Sequence, residues 1–209
     1  MSLSGVVLAG GKSTRMGGED KAFLRLGNRA FVSIITSELL KTCNRVFIAV
    51  GSKPTHEFEL LFSADQRVEV LNDSLNIRSP LGGLITAFQK CETEYIAAVG
   101  CDTPFLQSTV LDYLFKKVAS GEGHDAAVPI WRDTGIVEPL CAVYKSRTAL
   151  AAALKAASED KRGCRDMIAN LGNVLFVPVD ELRGVDPDLR SLLNLNTREE
   201  YLALASPSQ

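Results

Sequence analysis

"GVVLAGGKSTRMGGEDK", Gly5–Lys21, sets how the rest of the chain is read. Its first five residues are a short apolar, β-branched run that stops at two glycines, the pattern of a buried strand over Gly5–Ala9. The loop that follows fits neither common phosphate-binding spacing. A P-loop ending in Gly11-Lys12-Ser13 needs its first glycine at position 6, which is Val6. Starting from Gly5 and Gly10 puts Gly11 where the lysine belongs. The pattern Gly-x-Gly-x-x-Gly is also missing. What the loop offers instead is backbone and charge. Gly10 and Gly11 let N–H groups approach a ligand without a Cβ in the way, and successive N–H groups form an anion-binding concavity. Arg15 and Lys21 add two cations, with Gly17-Gly18 between them. That set suits a polyphosphate better than a single carboxylate. The competing reading is a surface loop with solvated charges.

Outward from this loop, strands and helices alternate. Apolar runs predict strands at 45–50, 68–71, 95–100, 125–130, 140–144 and 174–179. Helical spacing predicts helices at 30–42, after Pro80, around Leu111–Val118, at 147–157 and at 162–170. Thr197-x-x-Glu200 is a capping-box signature for a last short helix. The early strands are apolar throughout rather than alternating, which indicates a sheet covered on both faces. The expected fold is a single α/β domain over 1–209, a three-layer αβα sandwich with a mostly parallel, Rossmann-like central sheet. In such folds ligands bind beyond the carboxyl ends of the strands. The glycine loop, Asn72-Asp73 and Asp102 each follow a strand, so all three are expected on one edge.

Composition narrows the chemistry. The 209 residues are 46% hydrophobic with a formal net charge of −2, which argues against general nucleic-acid binding. Nothing resembles a signal peptide or an 18-residue apolar span, so a cytoplasmic protein with no membrane attachment is expected. The five cysteines show no Cys-x-x-Cys pair, and His56 and His124 are the only histidines. A structural zinc site is poorly supported, and reduced, mostly buried thiols are expected. Chemistry that needs neither a histidine base nor a cysteine nucleophile fits best.

Several further positions carry candidate roles. Asp102, in "VGCDTPFL", ends a strand, where one carboxylate beside bound phosphates can hold Mg2+; a turn cap is the alternative. Pro80-Leu81-Gly82-Gly83 opens a helix with small residues, against which a flat base or ribose can lie. Asn194 and Asn196 alternate in an extended stretch and face the same side; the alternative is service to the Thr197 cap. Lys161, Arg162 and Arg165 read as a solvated face, and Trp131 as core or pocket wall.

Taken in order, "LAGGKSTRMGGEDK", "NDSL", "SPLGG", "CDTPFL", "EPLCAVY" and "NLNT" resemble the GT-A-like nucleotidyltransferases and, within them, the molybdenum cofactor guanylyltransferases of the MobA type. The resemblance runs from Gly5 to about Leu204. It implies that the Leu8, Ala9, Gly10 and Gly11 backbone contacts a guanine nucleotide, with Gly82 and Asp73 at the nucleoside. Arg15 and Lys21 would hold its phosphates, Asp102 would bind Mg2+, and Asn194 and Asn196 would face the pterin. It implies transfer of GMP from Mg·GTP to molybdopterin phosphate with release of pyrophosphate, and transient docking to molybdoenzymes or cofactor-delivery proteins. Relatives of this type can carry an asparagine near the base at the end of the second strand, where this chain has Ala49. GTP is therefore expected to be preferred over CTP by a reduced margin. Cytidylyl transfer, a phospho-sugar or alcohol acceptor, and a non-catalytic nucleotide carrier are the alternatives.

Overall fold

A computed structural model of the chain describes residues 2–11, 20–74, 77 and 79–205. Strand β1 (Leu3–Leu8) is buried at all six positions and lies at the centre of the main sheet. It pairs in parallel with β4 (Arg45–Gly51) on one side and with β6 (Tyr95–Gly100) on the other. Beyond β4 lies β5 (Val68–Asn72), also parallel. Beyond β6 come β9 (Cys141–Lys145), β7 (Ala126–Trp131) and the edge strand β10 (Val174–Pro178). Strand β9 runs against both of its neighbours, and the two-residue β8 (Ile136–Val137) folds back on β7. The sheet is otherwise parallel, as the apolar strands require.

Two apolar layers cover it. Helices α1 (Phe31–Leu39) and α4 (Ser108–Val118) bury Ile35, Leu39, Leu111 and Leu114 against Val7, Val99 and Val143. On the other face, α3 (Pro80–Lys90), α5 (Ser146–Ser158) and α6 (Cys164–Ala169) cover Val6, Phe47, Ile96 and Tyr144. Proline at the first turn of α3 costs nothing, because that N–H has no intrahelical partner. Alanines 149, 152, 153 and 156 let α5 lie close to the sheet and to α3. Helix α8 (Arg198–Ala205) begins with both halves of the expected capping box. Glu200 Oε2 accepts from Thr197 N (3.0 Å), and Glu200 N donates to Thr197 Oγ1 (3.2 Å).

The hairpin β2–β3 (Arg25–Leu26, Arg29–Ala30), α2 (His56–Phe62), β8 and α7 (Val179–Leu182) were not expected from the sequence. All five cysteines are free, and burial pushes the thiols of Cys43, Cys101, Cys141 and Cys164 up to about 12. Among the described residues no helix is long and apolar enough to cross a membrane.

Register decides where the site lies. Leu8 is level with Ala49 on one side and Gly100 on the other, so three strands end together. The strand order turns at β1: β4 and β5 extend to one side and β6 to the other. Such a switch point leaves a crevice at the carboxyl ends.

Candidate active site

The crevice floor is bare backbone. Ala9 N donates to Ala49 O (2.8 Å), and Cys101 N donates to Leu8 O (3.2 Å), which ties the three strand ends together. Gly10 passes against Gly51, where a Cβ on Gly10 would stand 3.0 Å from Gly51 N. Gly51 itself has φ +67°, just past a register shift between β4 and β5, a conformation that side chains disfavour. Gly11 faces open space. Among the described residues no hydrogen bond uses the N–H of Gly10 or Gly11. Two donors thus remain at the mouth of the loop. Arg15 lies outside the described residues.

Lys21 opens a short 3-10 turn, residues 21–23, whose N-cap is Asp20. Its ammonium donates to Asn196 Oδ1 (3.1 Å) and lies 3.8 Å from Asp102 Oδ2. Three of the expected site residues therefore meet at one point, brought from three separate parts of the chain. The meeting is held from below. Leu195 N donates to Asp102 O (2.8 Å), and the Leu195 side chain is buried with Leu24 and Phe31. Asp102 is not a turn cap. Among the described residues its carboxylate accepts no backbone hydrogen bond, and it folds back over Gly100, where any Cβ would collide with Oδ1. Asn194 is half-buried and its amide donates to Leu192 O at 3.4 Å.

Asp73 forms the other wall. Its backbone N donates to Gly51 O (3.0 Å), and the neighbouring Asn72 amide donates to Gly51 O and to Lys53 O. The carboxyl group rests on the first turns of α3. A Cβ on Gly82 would stand 3.0 Å from Asp73 Oδ2 and would collide with Ile77 O; one on Gly83 would stand 3.6 Å from Asp73 Oδ1. Gly82 is therefore needed for this packing, whereas a Cβ on Gly83 would press first on Leu8 Cδ2 (2.9 Å). Asp73 Oδ1 is buried without a partner among the described residues, and burial raises its carboxyl from its ordinary value. Ser79 Oγ, at the mouth of α3, is also buried and has no partner among the described residues. Unsatisfied polar atoms in a crevice are places for a ligand's donors. Ala49 is 1% exposed and packs beneath them, with its methyl at the notch left by Gly83.

Two further expectations can be placed. Trp131 is half-buried, and its Nε1 donates to Glu138 Oε1 (2.8 Å) across the β7–β8 turn. Lys161 and Arg162 pair with Glu159 and Asp160 of their own exposed turn, and Arg165 is exposed, as a solvated face requires. Sequence reasoning missed Gly51, Asp20 and Lys53. The end of β4 had the same claim to the crevice as the ends of β1, β5 and β6, and the "GSK" there was the available signal.

A metal site can be tested against this donor set. Among the described residues no group of three or more His, Cys, Asp or Glu side chains converges, which excludes an all-protein cage there. One partly exposed carboxylate, Asp102, fits the ion that keeps waters and takes most of its ligands from a substrate's phosphates, which is Mg2+.

Comparison with known proteins bears on the fold and the family. A family described as "MobA-like NTP transferase domain" matches residues 5–174. A probable molybdenum cofactor guanylyltransferase of Methanosarcina acetivorans is 33% identical over 95% of this chain and 88% of its own. A molybdenum cofactor guanylyltransferase of Desulfosudis oleivorans is 32% identical over 95% and 92%. Among solved structures, the molybdopterin-guanine dinucleotide biosynthesis protein A of Archaeoglobus fulgidus superposes with a TM-score of 0.80 at 23% identity, covering 97% of this chain and 96% of that one. A 4-diphosphocytidyl-2C-methyl-D-erythritol synthase from Anaerococcus prevotii superposes with a TM-score of 0.70 at 10% identity, covering 98% and 94%. Both structures share the fold.

Proposed function

The chain belongs to the MobA-like NTP transferase family, and on that premise we propose that it transfers GMP from GTP to the terminal phosphate of molybdopterin, as a molybdenum cofactor guanylyltransferase. The observation that carries the reading is the meeting of Lys21, Asp102 and Asn196. It joins a phosphate-handling cation and a carboxylate to the asparagine segment assigned to the acceptor.

In this reading guanine lies at the mouth of α3, beside its first turn at 80–83. Its N1–H and N2–H2 donors answer the unpartnered Asp73 Oδ1. The N–H groups of Gly10 and Gly11, with Lys21, receive the triphosphate. Asp102 is the residue that would hold Mg2+, which when bound offsets charge on the phosphates. A phosphate oxygen of molybdopterin forms a bond to the α-phosphorus as the bond to the bridging oxygen breaks, and pyrophosphate departs with that electron pair. The nucleophile is already anionic at neutral pH, so no histidine is required. Lys21 stabilises the charge that grows on the departing pyrophosphate, and Asn194 and Asn196 orient the pterin. Sugar-phosphate and carrier functions remain the competing readings.

The test offers the purified protein molybdopterin with each of GTP, CTP, ATP and UTP, and identifies the product by mass spectrometry. A guanine dinucleotide with pyrophosphate release is the expected result. A cytosine dinucleotide overturns the base assignment, and no product from any nucleotide overturns the transfer reading.

A further inference from the structure

Lys53 belongs to none of the motifs above, yet it holds the neck of the glycine loop. Its ammonium donates to Ala9 O (2.5 Å) and to Asp20 Oδ2 (2.7 Å), reaching 44 and 33 residues back along the chain. Ala9 is the last residue before Gly10-Gly11, and Asp20 is the first described residue after the loop. One side chain therefore ties both ends together.

The post it reaches from is itself fixed. Lys53 N donates to Val50 O (3.2 Å), and the Asn72 amide donates to Lys53 O (2.8 Å). At the far end, Asp20 uses its other oxygen, Oδ1, to accept from Ala22 N (3.1 Å), the cap that orients the turn carrying Lys21. The contacts run in series: the end of β4 to Lys53, Lys53 to Asp20, Asp20 to the turn, and Lys21 of that turn to Asp102 and Asn196. An exposed ion pair contributes little, because solvent screens it. This one is mostly covered, with side-chain exposures of 21% and 27%, and it includes a charge-assisted bond to a backbone carbonyl.

We propose that Lys53 is a positioning residue for the transfer reaction. Tying Ala9 to Asp20, and acting through the Asp20 cap, it sets where the Lys21 ammonium stands. The inference rests on the nucleotidyl-transfer reading of the site. It assigns Lys53 no contact with the nucleotide. Its effect falls on the part of the ligand assigned to Lys21 and the Gly10-Gly11 backbone, the phosphates, and not on the base.

The experiment compares the parent, Lys53→Met, Asp20→Asn, the double variant and Lys53→Arg. It measures Kd for GTP, inorganic pyrophosphate and guanosine, with thermal unfolding as a check that each is folded at the assay temperature. Lys53→Met should bind GTP and pyrophosphate roughly tenfold more weakly, the scale of one charge-assisted bond. Guanosine should stay within about twofold, since no cation is removed from the base. Asp20→Asn should match Lys53→Met, and the double variant should be no worse than either, because both cut the same series. Lys53→Arg, which keeps the charge, should recover part of the loss. Three results overturn the proposal: unchanged GTP binding in Lys53→Met, equal loss of guanosine and GTP, or fully additive losses, which would place Lys53 directly on the phosphates. A parent that binds neither GTP nor pyrophosphate defeats the reading of the site itself, which is a separate failure.

Discussion

At the amino rim of the sheet, the Thr93 hydroxyl lies 2.9 Å from the Ser4 hydroxyl, 2.7 Å from the Tyr95 carbonyl and 3.2 Å from Cys91 Sγ, and Cys91 Sγ lies 3.3 Å from Ser146 Oγ. Nearby, Asp125 accepts from the N–H groups of Gly172 and Asn173. At the carboxyl rim, among the described residues, Asp73 Oδ1 and Ser79 Oγ are buried and unpaired, and two glycine N–H groups donate to nothing. The same strands run between the two rims, so packing does not explain the difference. A closed polar network adds to stability, whereas an open one costs stability and is kept where a ligand will complete it. The third unpaired buried atom among the described residues, Thr36 Oγ1, lies within α1.

The largest effect that separates the rims should come from Asp102→Asn. The amide keeps the size and removes the charge beside Lys21. Turnover should fall by roughly two orders of magnitude, the usual loss when a preorganised charge is removed from a transition state. The unfolding midpoint should scarcely move, because among the described residues the carboxylate accepts no backbone bond. Near-normal turnover in Mg2+ would return Asp102 to a structural role.

Asp73→Asn should trade function for stability. Guanosine and GTP should both bind at least tenfold more weakly, since a site that pairs polar groups depends strongly on each of them. The folded protein should at the same time gain stability at neutral pH. Burial raises the Asp73 carboxyl from its ordinary 3.8, so the folded state holds its proton to a higher pH than the unfolded chain does. In that window the native state binds more protons than the unfolded state, and stability falls as pH rises from about 3.8 through the raised value. The asparagine variant should lose this slope. Denaturant titrations at several pH values measure it, and an unchanged slope would mean that Asp73 is not the strained group.

The comparison can be broken from the other side with Thr93→Val. This change deletes the hydroxyl and leaves Ser4, only 2% exposed, without that partner. A loss of about 1–3 kcal/mol is expected from the unmet bond. Below the new unfolding midpoint, kcat/KM for GTP should match the parent. A parallel fall in activity would show that the two rims are coupled through the strands.

Much of this division was legible in the sequence. Apolar runs placed β1, β4, β5 and β6, and the rule that ligands gather at their carboxyl ends put Asp73, Asp102 and the glycine loop on one edge. Other features left weak traces. Helix α2 buries only Phe58 and exposes Leu60 and Leu61, so its apolar residues mark no single face. The antiparallel direction of β9 is not written in its composition, because a strand buried on both faces reads the same either way. Lys53 was hidden for another reason: one of its two acceptors is a backbone carbonyl, which no residue type announces. Asn196 read as a ligand to the acceptor, and its side-chain oxygen accepts from Lys21, 175 residues away in the sequence.

The smallest effect concerns the base. Ala49 is buried at the end of β4, and Gly83 leaves a notch that both the Ala49 methyl and Asp73 Oδ1 border. An asparagine at 49 would have to displace Leu8 Cδ2, which stands 2.9 Å from where a Gly83 Cβ would be, to bring an amide donor towards the unpaired oxygen. It would hold the Asp73 carboxylate in its charged form and in one orientation, ready for the donor edge of guanine, and cytosine lacks that donor pair. The selectivity kcat/KM(GTP)/kcat/KM(CTP) should therefore rise in Ala49→Asn, by about three- to tenfold for one added hydrogen bond. The notch limits the gain. If the amide cannot seat without moving α3, unfolding will come earlier and selectivity will not improve, which would show that the open carboxylate of the carboxyl rim works best unassisted. A parent that favours CTP would remove the guanine assignment and leave the contrast between the rims standing, with a different base to complete the open one.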